Sequence, residues 1–513
     1  MFWRKKKEED QDQDQGVVSD TPPEIVPLDG QKTFFQTLLP VLACGAGLFS
    51  DGYINNVIGS VNTVLEKEYD TVYTDSSAAS VVPAIAFAGT VVGQLFFGYL
   101  SDKWSRKNSL LISTIVLIVF TALAAGSYYR GDAVGMFNIL AAWRFFVGIG
   151  IGGEYPAGSV GCAESSGELK AGTRNTWFIL FTNSMIDWGF VLGAFVPYVV
   201  AAAAHNEHYS TIWRTSLGIG VAFPLVLFVL RLRLKEPEEF SRNSMKHVKI
   251  PYAYVLRYYG FRLFIVSLIW FIYDFSAYSF GIYSNTIVAN IYGTSSVLTT
   301  VFGWSTVINL FNIPGTMLGA PISDRIGPRY TLILGQVLQA VVGFIMAGTY
   351  TKLSHPSVVG AFAVVYGIFL SLGELGPGNN IGLLAAKTCA TGVRGQYYGI
   401  AAAFGKIGAF VGTYVFKKIQ SPDGDPIKSA QYKFYVSSSL CIFAAGLALL
   451  LPHIDQDTIT KEDANFKAYL ESNGWDTRQL GLKKGESIES LPEESLPAGS
   501  KENVVPTDKP ESS

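Results

Sequence analysis

Seven ionisable side chains lie inside long hydrophobic stretches of this sequence, where a charge is unfavourable unless it has a partner or a use. They are Asp51, Arg144, Glu154, Asp187, Asp274, Glu374 and Lys406. A charge near the middle of a bilayer costs about 3 kcal/mol or more, so such residues persist mainly where they face a cavity. Buried carboxylates can take up and release protons, and a buried lysine can bind an anion. The combination predicts a membrane protein that moves a charged solute.

The composition supports a membrane setting. Of the 513 residues, 49% are hydrophobic and only 16% are charged, which is more apolar than is usual for a soluble protein. The net charge of −2 creates no strong field, so we expect no nucleic acid partner. The first thirty residues are too polar for a signal peptide, which leaves insertion to the first membrane helix. The four cysteines lie in or beside apolar segments and predict buried thiols rather than disulfides.

Twelve stretches are long and apolar enough to cross a bilayer, which takes about 20 residues per helix. They span 34–58, 78–100, 109–127, 136–160, 175–203, 212–232, 263–289, 297–321, 330–350, 357–380, 396–416 and 433–452. An even number of crossings places both termini on one side. The loops on that side carry more than twice as many lysines and arginines as the opposite loops, which predicts cytoplasmic termini.

The same pattern divides the chain into five parts. Residues 34–232 and 263–452 each hold six predicted membrane helices, and 233–262 form a charged cytoplasmic linker between them. The polar segments 1–33 and 453–513 have compositions typical of disordered termini, and we expect both to lie in the cytoplasm.

An internal repeat relates the two sets of helices. Three pairs of landmark residues are separated by nearly the same distance, 221 to 223 positions. They are Asp102 with Asp324, Asp51 with Asp274, and Pro156 with Pro377. The sequence therefore predicts an all-α membrane protein of twelve transmembrane helices in two pseudo-symmetric six-helix bundles, with a substrate site between them at mid-depth.

A short loop between predicted helices 2 and 3 reads GYLSDKWSRK, and a related ISDRIGPR follows helix 8. The loop resembles the signature loop of the major facilitator superfamily. Its aspartate is suited to pair with basic groups and helix ends of the neighbouring bundle, in a contact that breaks and re-forms during transport. The predicted gating residues are Asp102, Arg106, Asp324 and Arg325.

Predicted helix 4 contains RFFVGIGIGGEYP, which begins at Arg144. Its glycines permit close helix packing, and Pro156 frees backbone carbonyls that need other partners. This segment resembles the corresponding helix of the phosphate:proton symporters. Arg144 resembles the arginine that the superfamily associates with proton coupling, and bracing of the helix bundle is the alternative.

Predicted helix 7 contains WFIYDFSAY, with Trp270, Asp274 and Tyr278 at intervals of four residues. At about 100° per residue these three side chains stay within roughly 80° of one another, so they form one stripe. Aromatic stripes often serve only for packing, but the carboxylate between the two rings favours a cavity. The same stripe is found in the phosphate symporters, where it lines the substrate site.

The segments GELGPGNNIGLLAAKT and RGQYYGIAAAFGKIGAFVG complete the pattern. Together with the helix 4 segment they resemble the fungal glycerophosphodiester permeases, the transporters of glycerophosphoinositol and glycerophosphocholine, over about residues 34–452. Two positions depart from the phosphate symporters. Glu374 stands where those proteins typically have asparagine, and their usual glutamine in helix 5 is absent, with Asp187 close by.

Five carboxylates and two cations form an unusual set for binding an anion. Because burial and mutual repulsion favour protonated carboxylates, we expect proton and substrate to promote each other's binding. Lys406 is the candidate partner of the phosphate, and a permanent salt bridge with Glu374 or Asp274 is the alternative. The predicted substrate contacts are Tyr155, Asp187, Trp270, Asp274, Tyr278, Glu374 and Lys406, and the predicted proton-coupling residues are Asp51, Arg144, Glu154 and Asp274.

These features and the resemblance predict a proton-coupled symporter that imports glycerophosphodiesters across the plasma membrane by alternating access, without a cofactor or metal. An inorganic phosphate:proton symporter, a facilitated uniporter and a nutrient-sensing receptor without transport are alternatives, and the sequence contains no recognised enzyme motif. The organic part of the substrate stays open. Inositol would hydrogen-bond the extra carboxylates, and choline would pair with them and with Trp188 or Tyr397.

Overall fold

The computed structural model describes residues 34–482, apart from 294–296, 417 and 456. Within this range the chain forms helices and no strand. The helices of the first half are α1 (Phe34–Gly45), α2 (Leu48–Tyr69), α3 (Thr71–Thr74), α4 (Ala78–Lys103), α5 (Arg106–Ala125), α6 (Ala133–Gly153), α7 (Val160–Ser166), α8 (Arg174–Phe181), α9 (Asn183–Ala203), α10 (Tyr209–Ile219) and α11 (Ala222–Arg231). The remaining helices are α12 (Glu238–Asn243), α13 (Tyr252–Tyr292), α14 (Leu298–Leu310), α15 (Asn312–Ile326), α16 (Pro328–Leu353), α17 (Val359–Gly373), α18 (Asn379–Lys387), α19 (Arg394–Phe416), α20 (Pro426–Ala448) and α21 (Thr458–Ser472).

In the described part of the chain, ten helical stretches are long and apolar enough to cross a membrane. Several are built from two consecutive helices separated by a short break, such as α1 with α2 and α8 with α9. Two further spans, α14 with α15 and α20 alone, bring the number to the predicted twelve. Six spans precede the linker and six follow it, which agrees with the repeat in the sequence.

The repeat extends to a pair of unusual helical turns. Glu154–Ser159 and Glu374–Gly378 are both π-helical, and each contains the proline of its half, Pro156 or Pro377. A proline inside a helix lacks an N–H and clashes with the carbonyl of the preceding turn, so a wider turn relieves the contact. Each π turn begins with a glutamate, which gives the two halves equivalent carboxylates.

The main contacts between the halves pair α2 with α13, α4 with α19, α8 with α15, and α9 with α14. Glycine makes the second contact possible. A Cβ atom on Gly98 would lie 2.9 Å from the carbonyl oxygen of Gly395, and one on Gly399 would lie 2.5 Å from that of Gln94. Small residues allow helix backbones to approach closely in membranes, so this seam depends on them.

Two spans extend beyond their predicted bounds into polar sequence, the first at its C-terminal end and the seventh at its N-terminal end. The first span continues to Tyr69 rather than ending near 58, and α13 begins at Tyr252, inside the predicted linker 233–262. The linker also contains α12. Hydropathy detects only the apolar part of a span, so it misses polar turns that extend a helix beyond the bilayer.

The expectation of disorder for 453–513 is wrong for α21, which packs against the second half beside the start of α13 and of α19. Its buried residues Ile459, Phe466 and Leu470 share one helix face. The ring of Phe466 lies 5.1 Å from that of Tyr259, measured between centroids. A short amphipathic helix was hidden by the polar composition of the segment as a whole. Residues 1–33 and 483–513, also predicted to be disordered, lie outside the described residues.

Hydrogen bonds and an ion pair join α21 and the residue before it to other parts of the same face of the protein. Asp463 accepts hydrogen bonds of 2.6 Å from the backbone N–H and the hydroxyl of Thr391, immediately before α19. It also accepts a bond of 3.3 Å from Asn243 of α12. Arg174, at the start of α8, forms an ion pair of 2.7 Å with Asp457. The tail helix therefore contacts both halves and the linker.

Candidate substrate-binding cavity

A cavity lies between the two halves. Helices α2 and α9 line it from the first half, and α13, α15 and α19 line it from the second. Six of the seven predicted substrate contacts line it: Tyr155, Trp270, Asp274, Tyr278, Glu374 and Lys406. The seventh, Asp187, does not. The structure thus brings together residues that are more than 200 positions apart in the sequence.

Lys406 stands at the centre of the charged residues in this cavity. Its Nζ atom lies 3.4 Å from Asp274 Oδ2 and 3.9 Å from Asp51 Oδ2. It also donates a hydrogen bond to the Tyr278 hydroxyl and lies 3.7 Å from the centroid of that ring. The same nitrogen is 4.9 Å from the ring centroid of Tyr155. One ammonium group is therefore shared between two carboxylates and the faces of two aromatic rings.

Asp51 is held by several hydrogen-bond donors. The hydroxyl of Tyr155 and the amide of Asn55 both donate to its carboxylate. A third donor is Tyr278, whose hydroxyl lies 3.3 Å from Asp51 Oδ2. Asp274 differs, because its Oδ2 has no hydrogen-bond partner among the described residues. Its contact there is the 3.4 Å ion pair with Lys406. The two carboxylates are equivalent in the repeat but not in their surroundings.

The predicted stripe on α13 faces the cavity along its whole length. Trp270, Asp274 and Tyr278 are all buried and all line the cavity. Trp270 packs edge-on against Tyr398, with 5.5 Å between ring centroids, and against the bare backbone of Gly405. Its position beside Lys406 on α19 thus depends on close contact between α13 and α19.

A second polar cluster surrounds Glu374. Its two carboxylate oxygens accept hydrogen bonds of 2.9 Å each, one from Tyr273 and one from Asn183. Asn183 also lies 3.4 Å from the hydroxyl of Thr316, which in turn donates to Asp187. Asp187 is fully buried and contacts Glu374 only through this chain. The direct substrate contact predicted for Asp187 finds no support in the cavity lining, because its face of α9 points toward α15.

Glu154 also lies away from the cavity. Both of its oxygens bind Arg231, at 2.5 and 2.6 Å, and both side chains are buried. Arg231 further donates to the carbonyl oxygens of Ala43 and Cys44, at the break between α1 and α2. Glu154 thus braces the first half, which disagrees with its prediction as a carrier of the coupled proton.

Arg144 braces helices rather than facing the substrate. Its Nε donates a 2.8 Å hydrogen bond to the carbonyl oxygen of Val82 in α4, and the side chain is buried outside the cavity. Its Nη2 has no hydrogen-bond partner in the described part of the chain. Of the two roles considered for Arg144, the structure favours bracing, since the guanidinium makes no contact with the group around Lys406.

The two predicted gating aspartates join the halves of the protein in equivalent ways. Asp102 accepts hydrogen bonds of 2.9 and 2.8 Å from the backbone N–H groups of Gly395 and Gln396, at the start of α19. Asp324 accepts bonds of 3.1 and 3.0 Å from the N–H groups of Asn175 and Thr176, at the start of α8. Each aspartate therefore caps a helix N-terminus in the opposite half, which is a favourable place for a negative charge.

The arginines of the two loops are less symmetric. Arg106 forms buried ion pairs with Asp102 at 2.6 Å and with Glu164 at 3.1 Å. Glu164 also pairs with Arg394 of the second half at 3.1 Å. Arg325 is exposed and forms no ion pair with another described residue, so of the two arginines only Arg106 belongs to the buried network between the halves in the described part of the chain.

Neutral polar residues were missed by reasoning from charge. Tyr273 and six asparagines line the cavity, and none of them was selected from the sequence. The asparagines are Asn55, Asn56, Asn183, Asn309, Asn312 and Asn379. The available signal was their position inside apolar stretches, where an amide without a partner is unfavourable.

Comparison with known proteins agrees with this architecture. Residues 44–413 match the Major Facilitator Superfamily. Over 452 residues the chain is 49% identical to the major glycerophosphoinositol permease of Candida albicans, with 87% of this chain and 84% of that protein covered. It is 48% identical to a glycerophosphocholine permease of the same yeast, with 88% and 85% covered.

A solved structure of a proton:xylose symporter has the same fold. It superposes with a TM-score of 0.66 at 16% sequence identity and covers 85% of this chain and 99% of its own. The predicted two-bundle architecture is thereby confirmed. The chain belongs to the Major Facilitator Superfamily, in the family of the fungal glycerophosphodiester permeases, and it is a multi-pass membrane transporter rather than an enzyme.

Proposed function

We propose that this protein imports glycerophosphodiesters together with protons, with its termini in the cytoplasm and the plasma membrane as its site of action. The observation that carries the proposal is the sharing of Lys406 between Asp51 and Asp274 in a cavity lined by both halves. Support comes from the relatives that are named as permeases of glycerophosphoinositol and of glycerophosphocholine.

The charges around Lys406 connect proton binding to anion binding. With both Asp51 and Asp274 ionised, the group has a net charge of about −1 and repels a phosphodiester. Protonation of one carboxylate leaves the ammonium without its nearest counterion. A phosphate oxygen then replaces that carboxylate as the partner of Lys406, with the hydroxyls of Tyr155 and Tyr278 as further donors.

Asp274 is the better candidate to carry the proton. Asp51 accepts hydrogen bonds from Tyr155, Asn55 and Tyr278, which stabilise the ionised carboxylate. Asp274 Oδ2 has only the 3.4 Å ion pair with Lys406. A proton on Asp274 Oδ2 disrupts no hydrogen bond of that oxygen, and it releases the closer of the two carboxylates from the lysine.

The remaining steps follow from the contacts between halves. The caps formed by Asp102 and Asp324 close the cytoplasmic side, and they must break before the cavity can open there. One proton and one phosphodiester cancel in charge, so the loaded site has the same net charge as the empty site, and reopening is favourable for these two forms and not for a site that holds only one of the two ligands, which is the condition for coupling.

Inorganic phosphate is the second candidate substrate, and Glu374 argues against it. Phosphate at neutral pH carries nearly two charges, whereas a phosphodiester carries one. Each additional negative charge about 4 Å from Glu374 costs about 1 to 4 kcal/mol, depending on the effective dielectric. Because Glu374 lines the cavity, it selects for the substrate with the smaller negative charge.

Uptake into cells that lack such transporters tests the proposal. The labelled substrates are glycerophosphoinositol, glycerophosphocholine and phosphate, each measured with and without a protonophore at fixed membrane potential. We expect both phosphodiesters to accumulate more than phosphate and their accumulation to collapse with the protonophore. Phosphodiester uptake that is unaffected by the protonophore would indicate a uniporter in place of a proton symporter. Absence of phosphodiester uptake would refute the proposed class of substrate.

A further inference from the structure

Buried amides form a distinct part of the cavity wall. Asn55 and Asn56 of α2, Asn183 of α9, Asn309 and Asn312 of α14 and α15, and Asn379 of α18 all line the cavity. Each of them is buried. In a membrane protein such groups are unfavourable unless they have hydrogen-bond partners, so their concentration around one cavity indicates a polar ligand.

Most of these amides already have protein partners. Asn183 donates to Asn379 at 3.0 Å, and Asn379 donates to the carbonyl oxygen of Thr316 at 3.1 Å. Asn309 donates to the carbonyl oxygen of Ser305 at 2.8 Å. These bonds fix the positions of the side chains and prevent the amide wall from rearranging around any other ligand.

Two carbonyl oxygens of this wall have no partner in the described part of the chain. They are Asn55 Oδ1 and Asn312 Oδ1, and both are buried. A buried acceptor without a donor is costly, so the site is most favourable when a ligand supplies hydroxyl groups. The two acceptors lie on different halves of the protein, so a ligand that satisfies both also joins the halves.

We infer that the amide-lined wall is a polyol subsite, so that the preferred head group is polyhydroxylated, as inositol is, rather than a trimethylammonium group. The inference rests on the proposed function and adds the head group to it. Asn55 neighbours Asp51 and therefore lies beside Lys406, where the glycerol hydroxyls common to all glycerophosphodiesters would reach it. Asn312 lies on the opposite half and is assigned to the head group.

The alternatives for a choline group are poorly placed. A trimethylammonium group donates no hydrogen bond, so it leaves Asn312 unsatisfied. The faces of Tyr155 and Tyr278 are already occupied by the Lys406 ammonium, which would repel a second cation. The two aromatic residues proposed from the sequence lie elsewhere: Trp188 is 38% exposed outside the cavity, and Tyr397 packs against Tyr259 near the tail helix.

Glu374 is the carboxylate of the cavity wall outside the Lys406 group that could pair with choline. It lines the cavity, but both of its oxygens already accept hydrogen bonds from Asn183 and Tyr273. Those bonds hold the carboxylate against the protein wall. The same group can still accept a hydroxyl, since a carboxylate has about four acceptor positions. Glu374 is thus compatible with a polyol and does not require a cation.

The experiment compares Asn312→Leu with wild type in uptake of labelled glycerophosphoinositol and glycerophosphocholine. Leucine keeps the approximate size and removes the acceptor. We expect the KM for glycerophosphoinositol to rise about three- to tenfold, the size expected for one hydrogen bond, with less than about a twofold change for glycerophosphocholine. Asn138→Leu, at an exposed position of α6, is the matched control, and surface protein is quantified for every variant.

The outcomes separate this inference from the proposed function. An equal loss for both substrates, or a selective loss for glycerophosphocholine, would overturn the polyol assignment while leaving phosphodiester transport intact. Wild-type cells that take up neither substrate would refute the proposed function itself. A second measurement needs no variant: wild-type uptake should be inhibited at least about threefold better by glycerophosphoinositol than by an analogue that carries cyclohexanol in place of inositol. Equal inhibition would also overturn the assignment.

Discussion

Glu154 and Glu374 each begin a π-helical turn, one in each half of the protein. Glu154 is neutralised by Arg231 at 2.5 Å, whereas Glu374 lines the cavity and is held by neutral donors. The two carboxylates therefore have similar places in their helices but different surroundings, because their neighbouring residues differ. One braces the fold, and the other stays accessible to a substrate.

Lys406→Ala should abolish concentrative uptake, because the phosphate loses its cationic partner in a cavity that contains carboxylates. Lys352→Ala, at an exposed position, should transport normally and serves as the control. Uptake and surface protein are measured together. If Lys406→Ala kept wild-type substrate affinity, Lys406 would serve only as a salt-bridge partner of Asp274.

Asp274→Asn should uncouple transport from protons, because asparagine imitates the protonated carboxylate and leaves Lys406 free. In wild type, a fall in external pH protonates the site and should raise uptake. In the variant this pH dependence should disappear, and accumulation should be lost while exchange of labelled for unlabelled substrate persists. Asp75→Asn, at an exposed position between α3 and α4, is the control and should behave as wild type. If the variant kept pH-dependent accumulation, Asp51 would be the residue that carries the coupled proton.

Glu374→Asn should shift selectivity toward inorganic phosphate. The change removes a negative charge from the cavity wall and so relieves repulsion of about 1 kcal/mol or more for the doubly charged ion, equivalent to roughly fivefold or more in relative affinity. Uptake of phosphate and of a glycerophosphodiester is measured in the same variant, which makes each substrate the control for the other. An unchanged ratio would show that Glu374 does not act on the substrate.

Arg231→Met should destabilise the protein by about 3–5 kcal/mol, because it leaves Glu154 charged and unpaired in the first half. The double variant Glu154→Leu with Arg231→Met should recover most of that loss, since no uncompensated charge remains. Thermal unfolding of the purified protein in detergent measures both. A double variant as unstable as the single one would mean that Arg231 acts mainly through its bonds to Ala43 and Cys44.

Asp463→Ala should loosen the tail helix α21, because Asp463 accepts hydrogen bonds from Thr391 and Asn243. Hydrogen bonds to a charged acceptor are worth about 1.5–3 kcal/mol, so the detached state should become at least about tenfold more populated. Limited proteolysis of the tail measures this population. Asn465→Ala, exposed on the same helix, is the control, and equal cleavage of the two variants would argue against these bonds as the attachment.

The local properties of the sequence were sufficient for the framework of this protein. Hydropathy located the twelve spans, and the repeated loops identified Asp102 and Asp324 as contacts between halves, because these signals depend only on neighbouring residues. Helical spacing also placed Trp270, Asp274 and Tyr278 on one face. A periodic pattern shows which side chains share a face of a helix, without reference to the rest of the chain.

The partner of each face was decided only by the tertiary structure. The spacing of residues along α9 does not predict that Asp187 points toward Thr316. The sequence at the end of α11 does not predict that Arg231 pairs with Glu154. A neutral amide such as Asn312 can be recognised as part of a cavity wall only when the helices that enclose the cavity are known. Charge alone marks a buried residue as unusual, but the function of that residue depends on which atoms the packing of distant helices brings within a few ångströms.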